Sequence, residues 1–157
     1  MKKNKKISLK NADFEVSLKF IVKDRKGRVL ILKMPQNSSM AGFYDFPGGR
    51  IRESEEDVPF SKIIKRELHE EIGDKIGLKI IEAPVAIGRH NYVSKITKKK
   101  QYIFWVFFEA KVKSGKITLS GEHEDYAWVK LTKNNYKKYF VRGPLEGMTN
   151  YLTHKLS

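Results

Sequence analysis

Apolar and polar positions alternate from Phe14 to Asp24 (FEVSLKFIVKD), the period-two signature of a strand. Lys26-Gly27 then turns the chain into a second strand, Arg28 to Met34, so the pair reads as a hairpin. Pro35 to Gly42 is a polar loop, and Phe43 to Arg52 holds short extended pieces broken by Pro47-Gly48-Gly49. The period changes to that of a helix between Pro59 and Ile72, where Ile64, Leu68 and Ile72 form one stripe. Asp57 is placed to cap that helix, Pro59 suits its first turn, and Gly73 suits its C-terminal cap. Three more strands follow, Lys79 to Gly88, Tyr102 to Val112 and Tyr126 to Leu131. A second helix is expected near Thr132 and a third from about Leu145 to the end. Strands in the majority with few helices predict an α/β layered domain on a mixed sheet.

The 157 residues suit one domain, 1–157, and nothing in the chain reads as a linker or repeat. Residues 1–12 are expected to be a basic, flexible leading segment. No apolar run reaches transmembrane length, and the lysine-rich start lacks the apolar stretch of a secretory signal. The expectation is a cytoplasmic protein with no membrane partner. Zero cysteines remove disulfides, thiolate metal sites and a cysteine nucleophile.

Charge sharpens the picture. The net charge is +14, yet eight of the 18 acidic residues fall between Glu53 and Asp74. Lysines cluster at the start, at Lys95 to Lys100 and at Lys130 to Lys138. A compact acidic segment in a basic protein suits a cation site that receives a polyanion, although solvated lysine faces would give the same clusters.

Residues advance by about 100° each along a helix, which puts Glu67, Glu70 and Glu71 within an arc of roughly 100°. Three carboxylates on one anchored face repel each other, and a hard divalent cation with oxygen ligands neutralises them. Mg2+ fits, because it bridges phosphate oxygens, offsets developing charge and helps generate a hydroxide nucleophile. Gly48-Gly49 lets backbone come close to a metal or phosphate. Arg66 is placed to hold one glutamate by a charge-assisted hydrogen bond.

Gly49, Glu55 and the run Arg66-Glu67-Leu68-His69-Glu70-Glu71-Ile72-Gly73 together resemble the box of the Nudix hydrolases. Phe46-Pro47-Gly48-Gly49 resembles its usual approach. Ten residues separate Glu55 from Arg66 where the box has seven, a three-residue insertion within Glu56 to Ser61 that puts the role of Glu55 in question. Asp74 stands where the box ends on an aliphatic residue. The resemblance implies a Nudix-type α/β/α sandwich with a loop–helix–loop catalytic motif. It implies metal-dependent hydrolysis of a nucleoside diphosphate linked to another moiety, with Mg2+ or Mn2+ as cofactor.

By that resemblance Glu67, Glu70 and Glu71 are the metal ligands, Glu71 the foremost, joined by a backbone carbonyl of Gly48-Gly49. Arg66 orients a carboxylate. Many Nudix enzymes use a further glutamate just before a late strand bearing Trp, so Glu122 in Gly121 to Trp128 is the candidate extra ligand or general base, with Glu124 next. His69, His90, His123 and His154 are expected at the surface, unpaired with any nucleophile.

Phe43, Tyr44 and Tyr92 are candidates to stack on a base. A nucleoside triphosphate, ordinary or oxidised, is the default substrate; dinucleoside polyphosphates and the 5′ end of an RNA are alternatives. A homodimer is compatible with the resemblance. A non-catalytic nucleotide- or RNA-binding module is the competing reading, supported by the lysine clusters and opposed by the full set of Arg-Glu and Glu-Glu pairs.

Overall fold

The computed structural model describes residues 10–154. The basic leading segment expected over residues 1–12 falls largely outside them.

Strand β1 (Phe14–Lys23) forms the hairpin with β2 (Val29–Lys33) through the turn at Gly27, but the two touch in register only at Lys23 and Val29. Beyond that point they diverge. The early half of β1 instead takes the segment after Pro47: Phe20 N–H donates to Pro47 O, Leu18 N–H to Gly49 O, and the Ile51 N–H to Val16 O. A glycine pair is thereby laid along the side of a central strand. On its other edge β1 runs parallel to β5 (Lys100–Gly115), which pairs antiparallel with β4 (Ile76–Val93). The two-residue β3 (Tyr44–Asp45) and β6 (Tyr126–Val129) complete a mixed sheet by pairing with β2.

Both faces of the sheet are buried, and alternation sorts the side chains. Leu18, Phe20, Val22, Leu30, Leu32, Phe108 and Ala110 face α1 (Phe60–Ile72) and meet its Ile63, Ile64, Leu68 and Ile72. Each such aliphatic side chain contributes about 1.5–3 kcal/mol on burial, which pins α1 in place. Ile21, Val29, Ile31, Trp105 and Phe107 face the other way, toward Met148 and Tyr151 of α2 (Arg142–His154). The α/β/α sandwich with a mixed sheet is therefore the fold. Helix α2 lies unusually close to the sheet because glycines meet: a side chain on Gly147 would stand 2.2 Å from the Phe107 ring, and one on Gly88 would stand 2.7 Å from Gly143 O.

Four expectations need correction. Pro59 occupies the N-cap of α1 and makes no side-chain cap; Asp57 lies in the preceding turn, where two residues separate it from the helix start at Phe60. The strand expected over Lys79 to Gly88 runs from Ile76 to Val93, because β5 is long enough to pair with all of it, with irregular register around Pro84. Only a short 3-10 turn, Tyr136–Lys138, stands where a helix was expected near Thr132. Helix α2 begins at Arg142, three positions before Leu145. Among the described residues no helix is long and apolar enough to cross a membrane.

Candidate functional site

Helix α1 carries two of its carboxylates inward. Glu67 and Glu71 are buried, next to the Gly48-Gly49 segment that β1 holds in place. Glu71 Oε2 accepts a hydrogen bond of 2.6 Å from Gly48 N–H. Gly48 has φ of 128°, and a Cβ there would lie 2.0 Å from Leu18 O, so no other residue fits the turn. Gly49 is required for another reason: its missing side chain is the space taken by the Glu67 carboxylate, 2.0 Å from where a Cβ would be.

Arg66 ties the cluster together. Its guanidinium grips both oxygens of Glu55, one at 2.7 Å, and its Nη1 reaches Glu67 at 2.6 Å and Glu70 at 3.0 Å. Glu55 is buried on a 3-10 turn, Glu53–Glu55, and also accepts from Arg52 N–H at 2.8 Å. The insertion after it is accommodated in the turn at 56–59, which leaves Glu55 and Arg66 in contact. Glu55 is held below the ordinary carboxylate range, first by its hydrogen bonds to Arg66 and to the Arg52 backbone. Glu67 moves the opposite way: burial pushes its pKa up, and Glu71 and Glu70 add to this against the pull of Arg66.

The residues fit a hard cation. The donors are all oxygen, a buried carboxylate is destabilised by its neighbours, and the glycine turn leaves room beside it. Glu70 stands apart from the pair, since Arg52 holds both of its oxygens at 2.9 Å on the exposed side. Among the described residues no three acidic or histidine side chains converge into a ready-made metal cage.

The segment 121–128 reaches the site by its histidine. After β5 the chain doubles back along the end of α1, where Thr118 N–H donates to Ile72 O and Ser120 N–H to Glu71 O. His123 then lies over Glu71, with Nε2 at 3.5 Å from Glu71 Oε1 and Nδ1 at 3.4 Å from Lys33 O. Burial lowers its pKa, but the Glu71 carboxylate and Asp45 outweigh that and raise it above the ordinary value. Glu122 is exposed, and Glu124 sits by Lys33 and the Gln36 backbone. His123 is thus a neighbour of Glu71 and not the surface residue expected. His69 is exposed as expected.

Lys19 was not singled out from the sequence. It shares a face of β1 with Ser17 and Ile21, is buried, and donates to Asp45 Oδ2 at 2.8 Å, Gly48 O at 3.1 Å and Phe46 O at 3.3 Å. Burial lowers its pKa, yet Asp45, Glu71 and Glu67 together hold it above the usual lysine value. The available signal was a charged residue inside the otherwise apolar run Leu18 to Val22.

From Gly49 and Lys19 a cleft of about 920 Å³ opens on the α2 side of the sheet, with Trp105, Ile103, His90 and Tyr92 along it. Helix α2 begins at Arg142, which itself lines the cleft. Tyr92 lines the cleft, its hydroxyl accepting from Arg50 at 3.2 Å. Tyr44 does not reach it: its ring packs edge-on to Tyr139, 6.0 Å away, while Phe43 is half-buried outside the lining. Arg50, Arg142 and Lys95 make the rim basic. A buried acidic pair beside a basic, aromatic-lined cleft suits a ligand with an anionic chain and a flat ring.

The chain is similar to known proteins in sequence and in fold. The family model described as "NUDIX domain" matches residues 14–146. Nucleoside triphosphatase NudI of Escherichia fergusonii is 29% identical over 108 residues, 66% of this chain and 74% of that protein. An 8-oxo-dGTP diphosphatase of Proteus vulgaris is 40% identical over 53 residues, 34% of this chain and 45% of that protein. The crystal structure of a MutT protein from Methanosarcina mazei Go1 superposes with a TM-score of 0.64 at 22% identity, covering 94% of this chain and 97% of that one.

Proposed function

The chain belongs to the NUDIX family and is a Nudix pyrophosphohydrolase; from that premise we propose that it cleaves the pyrophosphate linkage of a nucleoside triphosphate, ordinary or base-oxidised, with Mg2+. The observation that carries the reading is the pair of buried carboxylates, Glu67 and Glu71, beside the Gly48-Gly49 turn at the inner end of the cleft. The names of the two relatives, a nucleoside triphosphatase and an 8-oxo-dGTP diphosphatase, support the substrate class.

Glu67, Glu71 and a carbonyl of Gly48-Gly49 would hold the cation, Glu70 joining them when Arg52 and Arg66 release it. Mn2+ would take the same place. When bound, the ion offsets phosphate charge and makes water a better nucleophile. Arg66 fixes the Glu67 carboxylate against Gly49, so the ligand oxygen is positioned before substrate arrives. The basic rim of Arg50, Arg142 and Lys95 draws in the polyphosphate. Water adds to one phosphorus, the bridging P–O bond breaks, and the water proton passes to a nearby base. His123, which lies at Glu71, and the exposed Glu122 next to it in sequence are the candidates.

The test is turnover with Mg2+ against a panel of ordinary and oxidised triphosphates, ADP-ribose, dinucleoside polyphosphates and 5′-triphosphate RNA. Released phosphate, pyrophosphate and monophosphate are measured for wild type and Glu71→Gln. Triphosphate hydrolysis that falls at least 100-fold in the variant is expected. Turnover unchanged in Glu71→Gln overturns the assigned metal role, and a preference for another panel member replaces the substrate.

A further inference from the structure

His90 lies near the middle of the cleft on β4, opposite Ile103 of β5. It is 6% exposed, and its Nδ1 is buried with no hydrogen-bond partner. No bond to Nε2 is present either among the described residues. The ring is nonetheless held in a fixed plane, lying nearly parallel to Tyr92 at 15° and 6.2 Å and tilted 45° to Trp105 at 5.9 Å. A buried polar group without a partner is costly, and native proteins keep one where something else completes it.

The groups around the ring determine what that something is. Asp45 is already engaged, one oxygen accepting from Lys19 and the other from Phe46 N–H. The groups lining the cleft with N–H donors to spare are the guanidiniums of Arg50 and Arg142, since the Lys19 ammonium already donates to Asp45, Phe46 O and Gly48 O. Burial, with Arg142, Arg50 and Lys19 against Asp45, holds the imidazole pKa below its ordinary value, so it enters as a neutral ring with one N–H and one lone pair. With no protein partner to fix the tautomer, either nitrogen can carry the proton.

We propose that His90 is a specificity-determining residue, which donates its ring N–H to a keto oxygen of the substrate's nucleobase and so favours oxo bases over amino bases. This rests on the nucleotide reading above and goes beyond it by naming the base chemistry and the residue that senses it. A site built to hydrogen-bond one group discriminates strongly against an analogue that lacks it, because its own polar atom is then left unpaired.

The experiment uses the full chain with EDTA, where no hydrolysis occurs, and titrates inosine monophosphate and adenosine monophosphate by calorimetry. The two ligands differ at position 6, keto against amino. Wild type is expected to bind the inosine nucleotide about tenfold more tightly. His90→Phe, which keeps the ring packing, should bring the two affinities together, and His90→Gln, which keeps a donor, should restore part of the gap. Thermal melts identify any variant that fails to fold, in which case the Gln and wild-type comparison decides. Steady-state kinetics with Mg2+ and the two triphosphates should show the change in KM with kcat nearly constant. Equal affinities in wild type, tighter adenosine binding, or an unchanged ratio in His90→Phe overturns the proposal. Because the titration needs no metal or turnover, a chain that hydrolyses triphosphates without the His90 effect fails here alone. A chain with the effect but no turnover fails the function reading alone.

Discussion

Lys19→Met removes a buried ammonium that fastens the loop before the glycine turn to the sheet, and retains an unbranched side chain of similar length. In the wild type that ammonium satisfies Asp45, Phe46 O and Gly48 O at 2.8, 3.3 and 3.1 Å. The variant leaves the Asp45 carboxylate buried without its counter-ion, and breaking a buried pair from one side costs roughly 3–5 kcal/mol. Against a total stability of about 5–15 kcal/mol this is a large share, and it corresponds to a fall in Tm of roughly 6–20 °C for a chain of this size. Urea unfolding followed by tryptophan fluorescence suits the measurement, since Lys19 Nζ sits 4.9 Å from the Trp105 ring centroid. The folded pKa of Lys19 is raised, so its contribution is fully present below the unfolded value of 10.5 and lost only as pH rises through the folded one. At pH 7 the whole effect should be seen. Adding Asp45→Asn removes the stranded charge while keeping an acceptor for Phe46 N–H, and should recover more than half of the loss. A single variant that costs under about 1 kcal/mol, or a double variant no better than the single, refutes the reasoning that a buried charge pair holds this loop.

The two glycines should separate folding from activity. Gly48→Ala meets backbone at 2.0 Å with φ of 128°, and strain plus overpacking should cost roughly 2–6 kcal/mol in a urea melt. Gly49→Ala meets only the end of the Glu67 side chain, so stability should change by under about 1 kcal/mol while turnover falls about 10–100-fold. Gly147→Ala drives a methyl into the Phe107 ring and should cost roughly 1–2 kcal/mol despite the better helix former, as read from Tm. His90 has a lowered folded pKa, so stability should decline as pH falls below 6.5, where the unfolded chain takes up the proton first; the groups facing it are Arg142, Arg50, Lys19 and Asp45. Equilibrium melts at pH 7.5 and 5.5 on wild type and His90→Phe check this, and an equal drop in both refutes it.

The parts of the fold that rest on local period were legible. The first hairpin and the Ile64–Leu68–Ile72 stripe of α1 stand where alternation and helical spacing put them, and the carboxylate arc lies on the anchored helix. Strand β4 was read short because beyond Gly88 it lines the cleft rather than the core, and Arg89-His90-Asn91-Tyr92 carries no apolar alternation. The parallel pairing of β1 with β5 joins residues such as Ser17 and Trp105, far apart in sequence, and no short pattern encodes it. Whether Glu122 or His123 meets Glu71 is a matter of one residue's rotation in a loop, set by the backbone bonds of Thr118 and Ser120 to the end of α1. Glu55 kept its place because the inserted residues turn outside it, while Arg66 grips it from the helix.

The site keeps its buried anions in place with cations of its own. Arg66 covers Glu67, Glu55 and Glu70, and Lys19 donates to Gly48 O within the field of Glu67 and Glu71. Two positive side chains thus approach the carboxylate cluster from opposite directions, one along the helix and one through the sheet. A divalent cation entering beside Glu67 and Glu71 would compete with both. Arg66 can yield Glu67 and Glu70 while keeping Glu55, so its position is retained and the carboxylates are freed. Lys19 can yield Gly48 O while keeping Asp45, and its ammonium then remains at the junction between the glycine turn and the cleft. Glu67 and Glu71 would hold the cation with Arg66 and Lys19 beside it, and its charge would add to that of the basic rim in attracting a polyanion.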